Sequence, residues 1–260
     1  MTYKLLFLDI DGTILKSDHT YTETTKQAIT KVKENGVDVF LATGRPLHEI
    51  SDLAEELDIH SFIAYNGAFA SHHNETIVNE PIPKNSMERF ITIAEDNDHE
   101  LLMYTREKNY STNLERPLVQ NFIDLFDLKA NAAFSPAVLD KVLGATAMNV
   151  TPDQARLYET ETNFQVSPVH VNGAENCYDI LRTNVNKGYS IEKILDLLGI
   201  APEHTIAFGD GMNDKEMLQT VGEGFAMGNA HDDLFKYAKH QTATVNEEGI
   251  ARGLEQLGMI

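Results

Sequence analysis

The chain is short of cysteine, of positive charge and of long apolar runs, and each shortage excludes something. Its single cysteine, Cys177, rules out an internal disulfide. It lies in the strand-like run Asn176 to Thr183 and reads as a small buried hydrophobe, not a nucleophile. Only 21 Lys and Arg stand against 40 Asp and Glu, a net charge of −19. Nucleic acid and anionic membranes both require basic patches, so neither is expected as a partner, and the acidic excess reads as a solubilising surface. No run approaches transmembrane length, and the opening apolar stretch meets Asp9 and Asp11 without a signal-peptide cleavage site. A cytoplasmic location is expected. There is no low-complexity tract, no repeat at a fixed period and no Walker-type phosphate loop. What is present is a chain of 260 residues with ordinary globular composition, long enough for one large domain or two modest ones.

The first third alternates short apolar runs with helical patterns, the sequence form of βαβ units and a parallel sheet. Leu5 to Leu8 reads as a buried strand that delivers Asp9-Ile10-Asp11-Gly12-Thr13. Thr22 to Asn35 has Ala28, Ile29 and Val32 at helical spacing and stops at Gly36. Val37 to Leu41 is the next strand and ends in Thr43-Gly44-Arg45; Pro46 fits the first position of a helix running to about Leu57. Phe62 to Tyr65 is the third strand, with Asn66-Gly67 as a hairpin signal before Ala68 to Ala70.

From about Lys84 this alternation is lost. A helix is expected around Ser86 to Glu95, a strand over Leu101 to Thr105, a helix over Glu115 to Phe126 and a strand over Ala145 to Val150. Thr151-Pro152-Asp153-Gln154 has the form of a capping box, opening a helix to about Thr162, and Phe164 to Val171 and Cys177 to Thr183 read as paired strands. After Lys187 the alternation resumes, with a helix through Ile191, Ile194, Leu195 and Leu198, a strand over Thr205 to Phe208, and Gly209-Asp210-Gly211-Met212-Asn213-Asp214 at its end. Further helical patterns start near Lys215, His231 and Glu247. The simplest organisation is one α/β core made of 1–83 and 185–260, with 84–184 inserted as a separate α+β module.

Three apolar runs therefore end in polar clusters: Asp9 with Asp11, Thr43, and Asp210 with Asp214. In a parallel sheet such ends line one edge, so residues about 200 positions apart can share a site. Carboxylates at i and i+2 facing one small volume repel unless a cation lies between them. With Lys187 at a helix start, the set suits phosphoryl transfer.

The order Asp-x-Asp-Gly-Thr, Thr-Gly-Arg, Lys-Gly, Gly-Asp-Gly-x-Asn-Asp resembles the haloacid dehalogenase (HAD) superfamily of phosphohydrolases. The position of the middle module resembles the Cof-type, subfamily IIB sugar-phosphatase branch, with its Rossmann-like parallel-sheet core and inserted α+β cap. The resemblance covers essentially the whole chain. It implies that Asp9 attacks phosphorus and becomes an aspartyl phosphate, and that Asp11 serves as general acid and then general base. Thr43 would donate its hydroxyl to a phosphoryl oxygen, and Lys187 would neutralise developing charge. Ile10, Gly12, Gly44, Arg45 and Asn213 would border the phosphate with Thr43 and Lys187. The implied metal ligands are Asp9, Asp11 through its main-chain carbonyl, Asp210, and Asp214 as a ligand or a partner behind the ligands. An all-oxygen set that leaves room for water and phosphate favours Mg2+. Four carboxylates and a phosphate dianion outweigh the charge of Mg2+ and Lys187, so backbone N–H groups near the glycines and Arg45 are expected to help.

Other readings account for less. A calcium loop would need an acidic residue where Thr13 stands, and a dinucleotide fingerprint would need a third glycine where Asp214 stands. The ten histidines lack ligand spacing, and His72-His73 fall in an expected turn, so no zinc site is assigned. Tyr104, Arg106 and Tyr110 in the inserted module are left to packing. The expected activity is Mg2+-dependent hydrolysis of small phosphorylated metabolites, with the inserted module closing as a lid, in a monomer or small homo-oligomer. A phosphomutase on the same scaffold and a non-catalytic phosphometabolite-binding protein are the competing functions.

Overall fold

The computed structural model describes residues 2–159, 163–169 and 171–260. The chain opens with β1 (Leu5–Leu8), α1 (Glu23–Glu34), β2 (Asp38–Ala42), α2 (Ser51–Glu56), β3 (Ser61–Ala64), β4 (Phe69–His72) and β5 (Glu75–Asn79). It continues through α3 (Lys84–Asn97), β6 (Glu100–Tyr104), β7 (Asn109–Ser111), α4 (Pro117–Leu125), β8 (Asn131–Ala133), β9 (Gly144–Met148), α5 (Pro152–Ala155), β10 (Phe164–Pro168) and β11 (Cys177–Arg182). It closes with α6 (Lys187–Leu198), β12 (Thr205–Gly209), α7 (Lys215–Thr220), β13 (Glu223–Ala226), β14 (His240–Gln241) and α8 (Gly249–Gln256). Two compact units result, one of residues 1–45, 51–78 and 185–260, the other of 46–50 and 79–184.

The first unit holds an eight-stranded sheet in the order β14-β13-β12-β1-β2-β3-β4-β5. Strands β14 through β3 are parallel, and β4 turns back antiparallel on β3. This is the parallel sheet expected from the alternation and the Rossmann-like core implied by the resemblance, and its cause is burial on both faces. Leu5 and Phe7 pack in one cluster with Phe40 and with Ile191, Ile194, Met217 and Leu218 of α6 and α7. Leu6 and Leu8 alternate to the other face, where α8 approaches Phe208 and Phe225 closely enough that only Gly253 fits there. All four residues of β1 are at most 1% exposed. Burying each such side chain is worth ~1.5–3 kcal/mol.

The second unit is α+β. Its six-stranded sheet, β10-β11-β9-β6-β7-β8, is antiparallel except for the β7–β8 pair. Met87, Phe90 and Ala94 of α3 pack on Leu101, Met103, Ala145 and Ala147 on one face, while Val119 and Phe122 of α4 pack on Leu102, Met148 and Cys177 on the other. The helix expected to continue from Pro46 to Leu57 is broken: a 3-10 turn over Leu47–Glu49 precedes α2. Residues 46–50 group with the second unit because His48 Nε2 and Asn109 Oδ1 are 3.1 Å apart and Asn109 Nδ2 donates to Glu49 Oε1. At the Thr151 cap, Gln154 Oε1 accepts from the Thr151 main-chain N–H, but the helix that follows is only α5 and a 3-10 turn over Arg156–Glu159. The expected end at Thr162 lies outside the described residues. Three-residue β7 and β8 and the strands β13 and β14 were not anticipated, being too short to carry a periodicity. Among the described residues no helix is long and apolar enough to cross a membrane.

Candidate active site

β1 lies between β2 and β12, so the ends of these three strands open at one edge of the first unit's sheet. Asp9 follows β1, and its N–H donates to Phe208 O across the strand boundary (3.0 Å). Thr43 follows β2 and is tied by its N–H to Ile63 O (2.8 Å). Asp210 follows β12 and accepts at its carbonyl from His231 N. Lys187 is the first residue of α6. The Asn186 side chain caps that helix by accepting from Tyr189 N (2.9 Å), which directs the Lys187 side chain back toward the strand ends.

Lys187 is fully buried, and its Nζ donates to Asp9 Oδ1 (2.7 Å) and to Asp214 Oδ1 (2.5 Å). The other oxygen of Asp214 accepts from the N–H groups of Asp210 and Gly211, both at 3.0 Å. Asp214 thus clamps the turn that carries Asp210 and holds the lysine with its remaining oxygen. Carboxylate oxygens of Asp9, Asp210 and Asp214 come within 4.8 Å of one another. Three carboxylates against one ammonium leave an excess of negative charge. Burial and the charge of Asp214 accordingly hold Asp9 well above the usual carboxylate range and push Asp210 up to about 7. Burial alone would lower the pKa of Lys187, but Asp214 and Asp9 more than offset it and raise it above its ordinary value. The ammonium is charged throughout the physiological range.

Asp11, whose expected metal contact is its main-chain carbonyl, sends its side chain away from the carboxylate cluster. That side chain is 52% exposed; Arg45 Nε reaches its Oδ2 (2.8 Å) and Arg45 Nη2 its Oδ1 (2.5 Å). Arg45, expected at the phosphate, forks instead onto this carboxylate. Thr43 Oγ1 accepts from Arg45 N (3.0 Å), which leaves the hydroxyl proton to donate elsewhere. The Ile10 side chain is buried in the core and its carbonyl accepts from Ile14 and Leu15 N–H groups, so only main-chain atoms of Ile10 border the site. Gly12 N–H, expected toward the phosphate, donates to Leu15 O (2.8 Å). Gly12 has φ +81°, and a Cβ there would lie 2.1 Å from Asp210 Oδ2; only glycine lets the turn pass this close to a carboxylate.

Gly44 leaves room for the Asn66 carboxamide, which a Cβ would meet at 3.0 Å, and Asn213 Nδ2 donates to Asn66 Oδ1 (3.0 Å). Asn66, read in the sequence as a hairpin turn, is that turn and also links to the Asp210 loop through Asn213. Asn229 was missed altogether. Its Nδ2 donates to Gly12 O (2.9 Å) and to Asp210 Oδ2 (3.3 Å), while its Oδ1 accepts from Val245 N. The signal for it was the short run Phe225-Ala226-Met227: read as a strand beside β12, it brings Gly228-Asn229 to the same edge. Cys177 has its thiol pushed up to about 11, by burial and then by Asp179 and Glu175, as suits a packing residue.

A family model of haloacid dehalogenase-like hydrolases matches residues 6–254. Among curated proteins of Bacillus subtilis, YkrA is 31% identical over the full length of both chains. The 5-amino-6-(5-phospho-D-ribitylamino)uracil phosphatase YitU from the same organism is 30% identical over 97% of this chain and 96% of its own. Among solved structures, a Geobacillus kaustophilus protein superposes with a TM-score of 0.90 at 28% identity, covering 99% of this chain and 100% of that one. A structure described as a HAD subclass IIB sugar phosphatase gives 0.85 at 25% identity, with 99% and 100% covered.

Proposed function

Because this chain belongs to the haloacid dehalogenase-like hydrolases and is a phosphatase of that family, we propose that it hydrolyses small phosphomonoesters, sugar phosphates or similar metabolites, through an aspartyl phosphate on Asp9. The observation that carries this reading is the buried Lys187 ammonium held between Asp9 and Asp214, with Asp210 alongside. Such a group puts a nucleophilic carboxylate and a fixed cation where a phosphoryl group would be transferred.

The reaction assigns each residue one task. Asp9 attacks phosphorus and the ester oxygen leaves with a proton from Asp11. Water then attacks the acyl phosphate, Asp11 takes its proton, and inorganic phosphate departs. Both Asp11 oxygens are engaged by Arg45, so this proton transfer requires the fork to open. Lys187 balances charge on the transferring group, Thr43 donates its hydroxyl to a phosphoryl oxygen, and Asn213 and Gly44 line the phosphate side.

The donors present fit Mg2+: they are oxygens only, and Asp9 and Asp210 resist ionising together, as carboxylates do when an expected cation would separate them. Asp9 and Asp210, with the Asp11 carbonyl, would hold the ion. Asp214, whose two oxygens already serve Lys187 and the turn, supports from behind. When bound, Mg2+ supplies positive charge to the transferring oxygens. The unit containing 79–184 is proposed as the cap domain. Its expected setting is the cytoplasm, as a monomer or small homo-oligomer; a lone buried cysteine suits a reducing compartment.

A panel of small phosphate esters assayed for inorganic phosphate, with Mg2+ and with Asp9→Asn as the blank, tests this reading. Release above the blank that stops in EDTA is expected. Turnover at full rate in EDTA would remove the metal from the mechanism, turnover by Asp9→Asn would remove the nucleophile, and isomerised hexose phosphate without free phosphate would make the enzyme a mutase.

A further inference from the structure

A second group of donors lies at the other end of the same sheet. Asp38 opens β2 and pairs in register with Leu5, four residues before Asp9, so roughly 13 Å of strand separates it from the catalytic edge. Antiparallel β4 brings His72 back to that end. The two residues joining β4 to β5, His73 and Asn74, have φ of +46° and +69°, the left-handed pair that a two-residue hairpin requires. Side chains of successive residues in an extended strand point to opposite faces. The left-handed backbone at His73 breaks that alternation, and the two imidazoles lie with centroids 4.3 Å apart.

Both rings meet one carboxylate. His72 Nε2 is 3.1 Å from Asp38 Oδ2, and His73 Nε2 is 3.4 Å from Asp38 Oδ1. His72 is kept in place by stacking on Phe40, with centroids 5.5 Å apart and planes within 9°, and His73 N donates to Ser61 Oγ. The three donor atoms all lie within 4.8 Å of one another.

We propose that Asp38, His72 and His73 form a second metal site, which takes one late first-row transition ion of the Zn2+ class with water completing its shell. Two imidazoles and a carboxylate bind Zn2+, Ni2+ or Cu2+ in preference to Mg2+, so the two sites sort ions by ligand chemistry. Tetrahedral bonds of about 2.0–2.2 Å place ligand atoms roughly 3.3–3.6 Å apart. The His73 side chain is 58% exposed and has room to turn by that small amount. An ion there ties β2 to the β4–β5 turn and stabilises the fold by mass action. Adjacent histidines in a turn carry no ligand spacing by themselves; their third partner is 34 residues away in sequence.

The test uses the full chain stripped with a chelator, with Zn2+ and Cu2+ as probes and excess Mg2+ present. His73→Asn removes one ligand and keeps a residue that accepts positive φ; Asp38→Asn removes another without touching the turn. The wild type is expected to bind one Zn2+ that both variants bind at least ~10-fold more weakly. Its Cu2+ complex should show electron-spin coupling to two imidazole nitrogens, falling to one or none in His73→Asn, while Mg2+-dependent phosphatase activity is unchanged. Equal Zn2+ affinity in all three proteins, or Cu2+ coupling unaltered by His73→Asn, would overturn the proposal.

Discussion

Replacing Lys187 by Met keeps the length of the side chain and removes the buried ammonium held by Asp9 and Asp214. Breaking a buried ion pair by deleting one partner costs ~3–5 kcal/mol, because the remaining charge is left uncompensated. A kcal/mol moves the melting temperature of a chain this size by about 2 °C, so a loss of about 6–10 °C is expected in metal-free protein at pH 8. The carboxylates have one escape, which is to bind protons. Lys187 lowers the pKa of Asp9 and Asp210, and both are already above the usual range; deleting it raises them further. A carboxylate whose folded pKa exceeds its unfolded one contributes stability that is present at low pH and lost as pH rises through the folded value. The deficit of Lys187→Met must therefore be largest at pH 8 and shrink toward pH 5. Scanning calorimetry in EDTA at the two pH values measures it. A deficit of the same size at both would mean that packing, not charge, is what Lys187 contributes, and an unchanged melting temperature at pH 8 would refute the electrostatic reading of the site.

Gly12→Ala should lose ~1–3 kcal/mol to backbone strain at φ +81° and, because its Cβ would fall on Asp210 Oδ2, should also abolish the Mg2+-induced rise in melting temperature; a thermal-shift titration reads both. In wild-type protein the Asp210 value of about 7 means that metal-free stability from this group falls as pH rises from about 4 through 7. Stabilisation by Mg2+ should grow over the same window, checked by melting curves with and without the ion across pH. Arg45→Met breaks a partly exposed pair, so stability should change by less than ~1 kcal/mol. It frees both oxygens of Asp11, and steady-state kinetics should show kcat changing more than KM, since Arg45 in this structure contacts the proposed proton carrier.

The parallel core was legible because its strands are buried on both faces and read as continuous apolar runs, each followed at once by its polar residues. α1 was legible for local reasons: Thr22 Oγ1 accepts from Thr25 N, Glu23 sits in the first turn and Lys31 and Lys33 in the last. What escaped depends on distant partners. The break after Glu49 follows from a bond to Asn109, sixty residues on. Asn229 matters only because β13 lies beside β12, and the Arg45 fork only because β1 and β2 end together. Asp9 and Asp11 look equivalent as neighbours in sequence. One is buried on Lys187 and the other points outward to Arg45, a difference that the turn at Gly12 creates.

Lys187 lies three residues after the second unit ends, and Asp9 lies 178 positions earlier. During synthesis, the carboxylate emerges first and waits for the whole second unit to be made before its counter-charge arrives. A nascent chain stopped short of Lys187 has β1 without β12 on one side and an acidic strand end without its ammonium. Contacts of such long sequence separation form late and slowly. The site is thus among the last parts of the protein to be completed, and a ribosome-bound or truncated chain lacking residues beyond 186 carries half of a phosphatase and none of its charge balance.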